Sequence, residues 1–293
     1  MELARLKKNL LKEEKRRTRK TWNSRYFCLT IGLLGLLTAV GSWYGYRAWQ
    51  EKIPGTLLRR AEKLVEKQRY QRAISQLRSL HEHYPRTAAG AKALLLAGDI
   101  MLLHLHREQE ALLAFLLVER DYPETPWCDA ARRQVADIYK YHLKDYGRAL
   151  VSYQKMLDSQ MPQTDHIQYE MADTYFRMNN FEQARIEFEI LLADYPQSKL
   201  VPQSLYQIGS SFFLEGKTDE SEQVLNRLCR EYPQNSFALE GFFTLAQVHE
   251  ERGDLHKALQ ILEKLKGRYA RKAILDQRSM HIRQRLKKKN KAI

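Results

Sequence analysis

The feature that most constrains this chain is a dipeptide that keeps returning. Tyr-Pro stands at residues 84–85, 122–123, 195–196 and 232–233, and Met161-Pro162 and Tyr269-Ala270 fill two further slots of the same series. A small residue stands twelve positions before the end of each slot: Ala73 before Pro85, Ala111 before Pro123, Ala184 before Pro196, Ser221 before Pro233 and Ala258 before Ala270. Ala149 precedes Pro162 by thirteen. A second small residue lies twelve or thirteen positions earlier again, at Ala61, Gly98, Ala136, Ala172, Gly209 and Ala246. Six units with a period of 35–38 residues result. Self-similarity at such a period marks an array of stacked supersecondary units.

The physics behind the pattern is a helical hairpin. Two small residues a dozen positions apart fall on facing helices, where the missing side chain lets the axes approach. Large apolar groups between them, such as Ile186, Phe188, Leu191 and Leu192, are expected to fill the groove to the next unit. Proline cannot continue the second helix and pushes the residue before it out of αR, so Tyr-Pro ends each hairpin at a fixed place. Asn179-Asn180, Glu215-Gly216-Lys217 and Arg252-Gly253-Asp254 supply the turns between the two helices.

Phe181-Glu182-Gln183-Ala184 with Pro196 twelve residues on, preceded by Ala172 and Tyr175, resembles the tetratricopeptide repeat. The resemblance covers roughly residues 56–270. It implies an all-α fold, a right-handed superhelical solenoid of about six hairpins, and a role in binding proteins. The recurrent ending Asp194-Tyr195-Pro196-Gln197-Ser198 is similar to a bacterial envelope subgroup that includes the outer-membrane assembly lipoprotein and the Tol–Pal coordinator. The chain departs from both by carrying an apolar span in place of a lipid-modified cysteine. In that arrangement it resembles the ancillary subunit of the Sec translocon.

The span is Tyr26–Tyr46, between Arg25 and Arg47, with no charged side chain. About 20 helical residues at ~1.5 Å each cross a ~30 Å hydrocarbon core. Tyr26 and Phe27 stand at one end, and Trp43, Tyr44, Tyr46 and Trp49 at the other, where headgroup interfaces attract amphipathic rings. Ala39-Val40-Gly41 offers a competing reading as a signal-peptide cleavage site, against which stand the basic leader and the aromatic cluster after that site. Ten Lys/Arg precede the span, and five occur in the twenty residues after it. The denser side stays cytoplasmic, which puts the array in the periplasm of a bacterium. The expected organisation is a basic leader 1–25, a transmembrane helix 26–46, a linker 47–55, the solenoid 56–270 and a basic capping helix and tail 271–293.

The formal net charge of +14 suggests nucleic acid until it is divided along the chain. Residues 1–25 hold ten basic against three acidic groups and residues 271–293 hold nine against Asp276, so the body is nearly neutral. No aromatic residues interleave the tail Lys287-Lys288-Lys289-Asn290-Lys291 for base stacking, which disfavours nucleic acid. An anionic surface is the better expected contact for the tail. Ala273, Ile274, Ile282 and Leu286 are expected to form the stripe of a capping helix over the last unit.

Catalytic, cofactor and metal chemistry are not expected. Gly216-Lys217-Thr218 lacks the upstream glycine and strand of a phosphate cradle. His81/His83 and His104/His106 are two residues apart and point to different sides of a helix. Cys28, Cys128 and Cys229 are too scattered for a disulfide framework or a zinc site and are expected as free thiols, mostly buried. Function is expected on the inner face, along the first helix of each unit, where an extended peptide or partner helix would bind. Three residues before its small residue, the last three units place Tyr169, Tyr206 and Phe243; one residue after it, Asp173, Ser210 and Gln247. Phe176, Arg177 and Phe213 complete the candidate groove. Asp173, Glu240, Glu250 and Glu251 on these helices favour a partner with apolar and basic residues. The expected function is a membrane-anchored scaffold for a cell-envelope complex; the rival is a targeting receptor whose array faces the cytosol.

Overall fold

The computed structural model describes residues 53–291, together with 7–8, 10–16, 36–38 and 40–43; every regular element among them is helical. Helix α1 covers residues 53–66. It is followed by α2 (Tyr70–His83), α3 (Ala88–Leu103), α4 (Glu108–Asp121), α5 (Pro126–Asp137), α6 (Tyr146–Asp158), α7 (Thr164–Arg177) and α8 (Phe181–Asp194). Then come α9 (Val201–Leu214), α10 (Thr218–Glu231), α11 (Ser236–Glu251), α12 (Leu255–Leu265) and α13 (Lys272–Lys291). The chain is already helical at residue 53, so the linker expected to run to 55 ends earlier. Most of the segment 26–46 lies outside the described residues, as do Cys28 and the leader apart from 7–8 and 10–16. Among the described residues no helix is long and apolar enough to cross a membrane.

Two compact units divide the chain, Met1–Ile100 and Met101–Ile293. In the first, α1 and α2 form a hairpin with Ala61 and Ala73 fully buried between them. Gln76 Nε2 of α2 donates to the Leu57 carbonyl, and Lys92 of α3 pairs with Glu62 of α1 at 3.3 Å. In the second, α5/α6, α7/α8, α9/α10 and α11/α12 are hairpins, each packed on the next, and α13 closes the series against α12.

The small residues lie where the helices meet. Ala136, Ala149, Ala172, Ala184 and Ala258 are fully buried, and Ala246 nearly so. At Gly209 the requirement can be read atom by atom: a Cβ there would come within 2.5 Å of Leu225 Cδ2. Ser221, which breaks the alanine rule opposite it, donates its hydroxyl to the Gly209 carbonyl at 2.8 Å and so buries no unpaired oxygen. Around them Phe188, Leu191, Leu205, Leu225 and Leu228 form a continuous core, each worth about 1.5–3 kcal/mol when fully buried. Ile186, expected in that core, is 44% exposed, because it stands two residues after Ala184 and so points away from the hairpin seam.

The turns repeat as faithfully. The residue two before each second helix is left-handed: Gln68, His106, Lys144, Asn179, Gly216 and Gly253 all have φ between 51° and 82°. Where the second helix ends, Tyr84, Tyr122, Tyr195 and Tyr232 adopt nearly the same non-helical backbone, and each N–H still donates to the carbonyl four residues back. The following proline imposes that exit. Thr87 and Thr125 hydroxyls close the next turn on the Tyr84 and Tyr122 carbonyls.

One hairpin is different. The end of α5 continues as a π-turn, Ile138–His142, whereas α3 stays α-helical to Leu103 although Gly98 and Ala111 share the thirteen-residue spacing of Ala136 and Ala149. At the other end of the array, α13 buries Leu275, Ser279 and Ile282, with Leu286 half-buried. Ala273 and Ile274, expected in this stripe, are exposed; the face begins at Leu275 and proceeds by steps of four and three. Cys128 and Cys229 are free and buried. Burial raises both thiols, Cys229 to about 12.

Candidate functional site

Helices α7, α9 and α11 carry one stripe each at i, i+4 and i+7, set by the position of the small residue between them. The stripes are Tyr169–Asp173–Phe176, Tyr206–Ser210–Phe213 and Phe243–Gln247–Glu250. Neighbouring first helices touch through these stripes. Gln203 Nε2 of α9 donates to Tyr169 Oη at 2.6 Å, and Gln207 reaches Asp173 at 3.5 Å. The Tyr206 ring lies 5.9 Å from Phe237 of α11, and Phe243 stacks on Tyr269 at 5.1 Å with the planes 9° apart.

The three expected ladder members therefore differ. Tyr169 is 6% exposed, its ring 5.4 Å from Phe188 of α8 and its hydroxyl occupied, which makes it a core residue rather than part of an open surface. Tyr206 and Phe243 are half-buried, Tyr206 tilted against Phe237 and Phe243 with one face stacked on Tyr269. Phe176 (edge-on to Phe181 at 5.2 Å), Phe213, Ser210 and Gln247 are also half-buried. Ser210 Oγ is buried yet has no hydrogen-bond partner among the described residues.

Asp173 is not free to meet a partner. Its carboxylate pairs with Lys140 at 2.8 Å and with Arg177 at 2.6 Å, which also fixes Arg177, exposed, over the Tyr141 ring. Burial opposes the charge, but the two cations prevail and hold Asp173 below the ordinary carboxylate range. Lys140, delivered inward by the π-turn, is fully buried and donates to the Glu170 carbonyl at 2.9 Å and to Glu170 Oε2 at 2.6 Å. Tyr141 Oη donates to the same carboxylate at 2.7 Å. Asp137, half-buried beside this cluster, is raised by burial and by the Glu170 charge. Sequence reasoning did not find Lys140, Glu170 or Tyr141, because the thirteen-residue spacing of Ala136 and Ala149 is shared by Gly98 and Ala111 and does not single this hairpin out.

Two of the other acids expected to make the groove negative are also engaged, while Glu251 is exposed. Glu240 accepts from Tyr269 Oη at 2.8 Å and pairs with Arg271. Glu250 pairs with Arg278 and Arg285 of α13, both at 2.8 Å. With Asp173, Glu240 and Glu250 paired, Glu251 is the expected acid that stays exposed beside the rings and uncharged polar groups of α9 and α11.

With the geometry in hand, the class is defined. Residues 169–236 and 240–271 each match a tetratricopeptide repeat family model, and the repeats over this stretch are tetratricopeptide repeats. The chain is similar to a tetratricopeptide repeat protein from Parabacteroides merdae ATCC 43184, with TM-score 0.56 and 20% identity over 78% of this chain and 88% of that one. It is also similar to the C-terminal part of a repeat-containing protein from Cytophaga hutchinsonii, with TM-score 0.54 and 15% identity over 71% and 77%. A third similarity is to PilW, a type IV pilus biogenesis factor, with TM-score 0.50 and 13% identity over 74% and 93%. At these identities the likeness is one of fold. Nothing among curated proteins matches the chain.

Proposed function

We propose that this chain is a membrane-anchored scaffold that holds a partner protein, as an extended segment or a helix, across α9 and α11. The observation that carries the reading is the set of half-buried, uncharged side chains on α9 and α11: Tyr206, Ser210, Phe213, Phe243 and Gln247. Rings at that place give large contact area at small entropic cost. An extended segment suits the site because its backbone N–H and C=O groups are unspent.

The anchor is the apolar run 26–46, with residues 1–25 in the cytoplasm and the array in the periplasm, at the inner membrane of a bacterium. Support comes from the charge asymmetry of its flanks and the rings at both ends. There the scaffold would serve assembly or organisation of an envelope complex, and the basic tail 287–291 would rest on an anionic surface. The test is a photo-crosslinking residue at Phe213 in the full-length protein in its native membrane. A discrete protein adduct that Tyr206→Ala removes is expected, and no adduct, or one unchanged by Tyr206→Ala, contradicts the site. Reporters fused at either end test orientation: an array reporting from the cytosol would favour a targeting receptor over an envelope scaffold.

A further inference from the structure

The face over α9 and α11 continues onto the closing helix. Helix α13 follows α12 as the first helix of a further unit would, and it carries a stripe at the same i, i+4 and i+7 spacing: Ile274–Arg278–His281, which Arg285 extends. Arg278 Nε and Arg285 Nη1 both donate to the Glu250 carboxylate at 2.8 Å, and Glu250 ends the α11 stripe Phe243–Gln247–Glu250. Between the two helices is an open cleft of about 350 Å³, lined by Glu250, Ile274, Gln277, Arg278 and His281. Along successive first helices the chemistry thus turns from rings on α9, to a ring and an amide on α11, to cations on α13.

The charges at this cleft do not cancel. Two guanidiniums share the one carboxylate of Glu250, and His281 Nδ1 stands 3.5 Å from the same group. No other acid lines the cleft. The charges are also layered: the Glu250 side chain is 7% exposed, whereas those of Arg278 and Arg285 are 33% and 42% exposed. The carboxylate lies beneath and the cations face outward. Each guanidinium has five N–H donors and gives one to Glu250. Asp276, two residues before Arg278, points to the other side of α13. Exposed Ile274 adds an apolar patch beside the cations. A positive rim with unspent donors is complementary to a carboxylate, which a guanidinium can grip with two parallel hydrogen bonds.

We propose that the α11–α13 cleft extends the partner-binding face and takes an acidic side chain of the same segment that lies across α9 and α11. The inference rests on that reading of α9 and α11 and adds the chemistry of the partner. Phe243 and Glu250 belong to one stripe of one helix, so a segment seated on the Phe243 ring is beside the cleft. Packed helix axes lie about 8–10 Å apart, a gap that extended chain crosses in about three residues at ~3.3 Å each. The partner's acid therefore stands about three residues from the apolar side chain that meets Phe243, with its carboxylate on Arg278 and Arg285 and its neighbour against Ile274.

The test uses the full-length protein in neutral detergent and a fluorescent extended peptide of about ten residues, with Leu and Tyr in its first half and a Glu pair about three residues beyond the Tyr. Its companion carries Lys in place of both Glu. The Glu peptide should bind at least about tenfold tighter than the Lys peptide. Arg278→Gln and Arg285→Gln each leave Glu250 with one cation, so the fold is kept, and each should shrink that difference. Tyr206→Ala should weaken both peptides alike and leave their ratio unchanged. Equal affinities, with Tyr206→Ala still weakening both peptides, overturn the α11–α13 cleft and leave the α9–α11 face standing. No binding of either peptide, or binding indifferent to Tyr206→Ala, overturns both. The proposal also falls if the preference for Glu survives both arginine substitutions. It falls too if micelles doped with phosphatidylglycerol displace the Glu peptide, since the cations would then face lipid.

Discussion

The α5–α7 junction and the α9–α11 junction occupy the same places in successive repeats and are built from opposite chemistry. At the first, the stripe on α5 reads Arg133–Asp137–Lys140, and its neighbour's Glu170 and Asp173 close on the buried Lys140 ammonium. Every strong donor and acceptor there is occupied by this chain's own groups. At the second, the stripe reads Tyr206–Ser210–Phe213, the rings are half-exposed and a hydroxyl is left unpaired. One scaffold geometry thus carries two chemistries: where charges are buried they satisfy each other and fix the units, and where half-buried rings remain lies the proposed partner surface.

The largest effect should come from breaking the charged junction. Lys140→Ala leaves Glu170 and Asp173 buried without their cation and should cost about 3–5 kcal/mol, read as a lower denaturation midpoint. Gly209→Leu, at the open junction, drives new atoms into Leu225 and should cost about 1–3 kcal/mol. Gly147→Ala is its control: an added Cβ there meets only Asp145 Oδ1 at 3.8 Å, and the variant should gain about 0.4–1 kcal/mol.

Acid should act on the charged junction with two signs. Asp173 has a lowered folded value, so the stability it contributes is present above its unfolded value of about 4 and lost as pH falls further. Asp137 has a raised folded value, so the fold gains as pH falls through that value toward about 4. Asp137→Asn should flatten the stability curve above about pH 4, and Asp173→Asn should flatten it below. The reverse assignment would contradict the geometry of the cluster. The smallest effect on folding belongs to Ser210→Ala, which removes an unpaired hydroxyl and should leave the denaturation midpoint equal to the parent's or slightly higher.

How far the sequence carried depended on which physics each feature uses. Steric and backbone features were legible: proline exits, small residues at helix crossings and left-handed turns are local rules that repeat, and Ser221 departed from the pattern only by finding the Gly209 carbonyl. Features resting on a one-residue change of phase were not. Ile186 and Ile274 were expected buried and face water, because burial on a helix turns over within one or two positions. Burial of Tyr169 hung on its contacts with Phe188 and Gln203, from α8 and α9, which its own stripe does not reveal. The π-turn that buries Lys140 could not be read from the spacing of Ala136 and Ala149, which Gly98 and Ala111 share without such a turn, and which residue would turn inward was set by three dimensions.

The central claim, that the α9–α11 face is kept open for a partner while the α5–α7 junction is closed on itself, is tested most directly by Tyr206→Ala. Unfolding of the full-length variant and its recovery of the protein crosslinked at Phe213 would be measured side by side. The account predicts stability within about 1 kcal/mol of the parent, with recovery reduced about tenfold. A loss of about 3 kcal/mol or more, as truncation of a core ring gives, with recovery by the folded fraction unchanged, would make Tyr206 a packing residue like Tyr169 and contradict it.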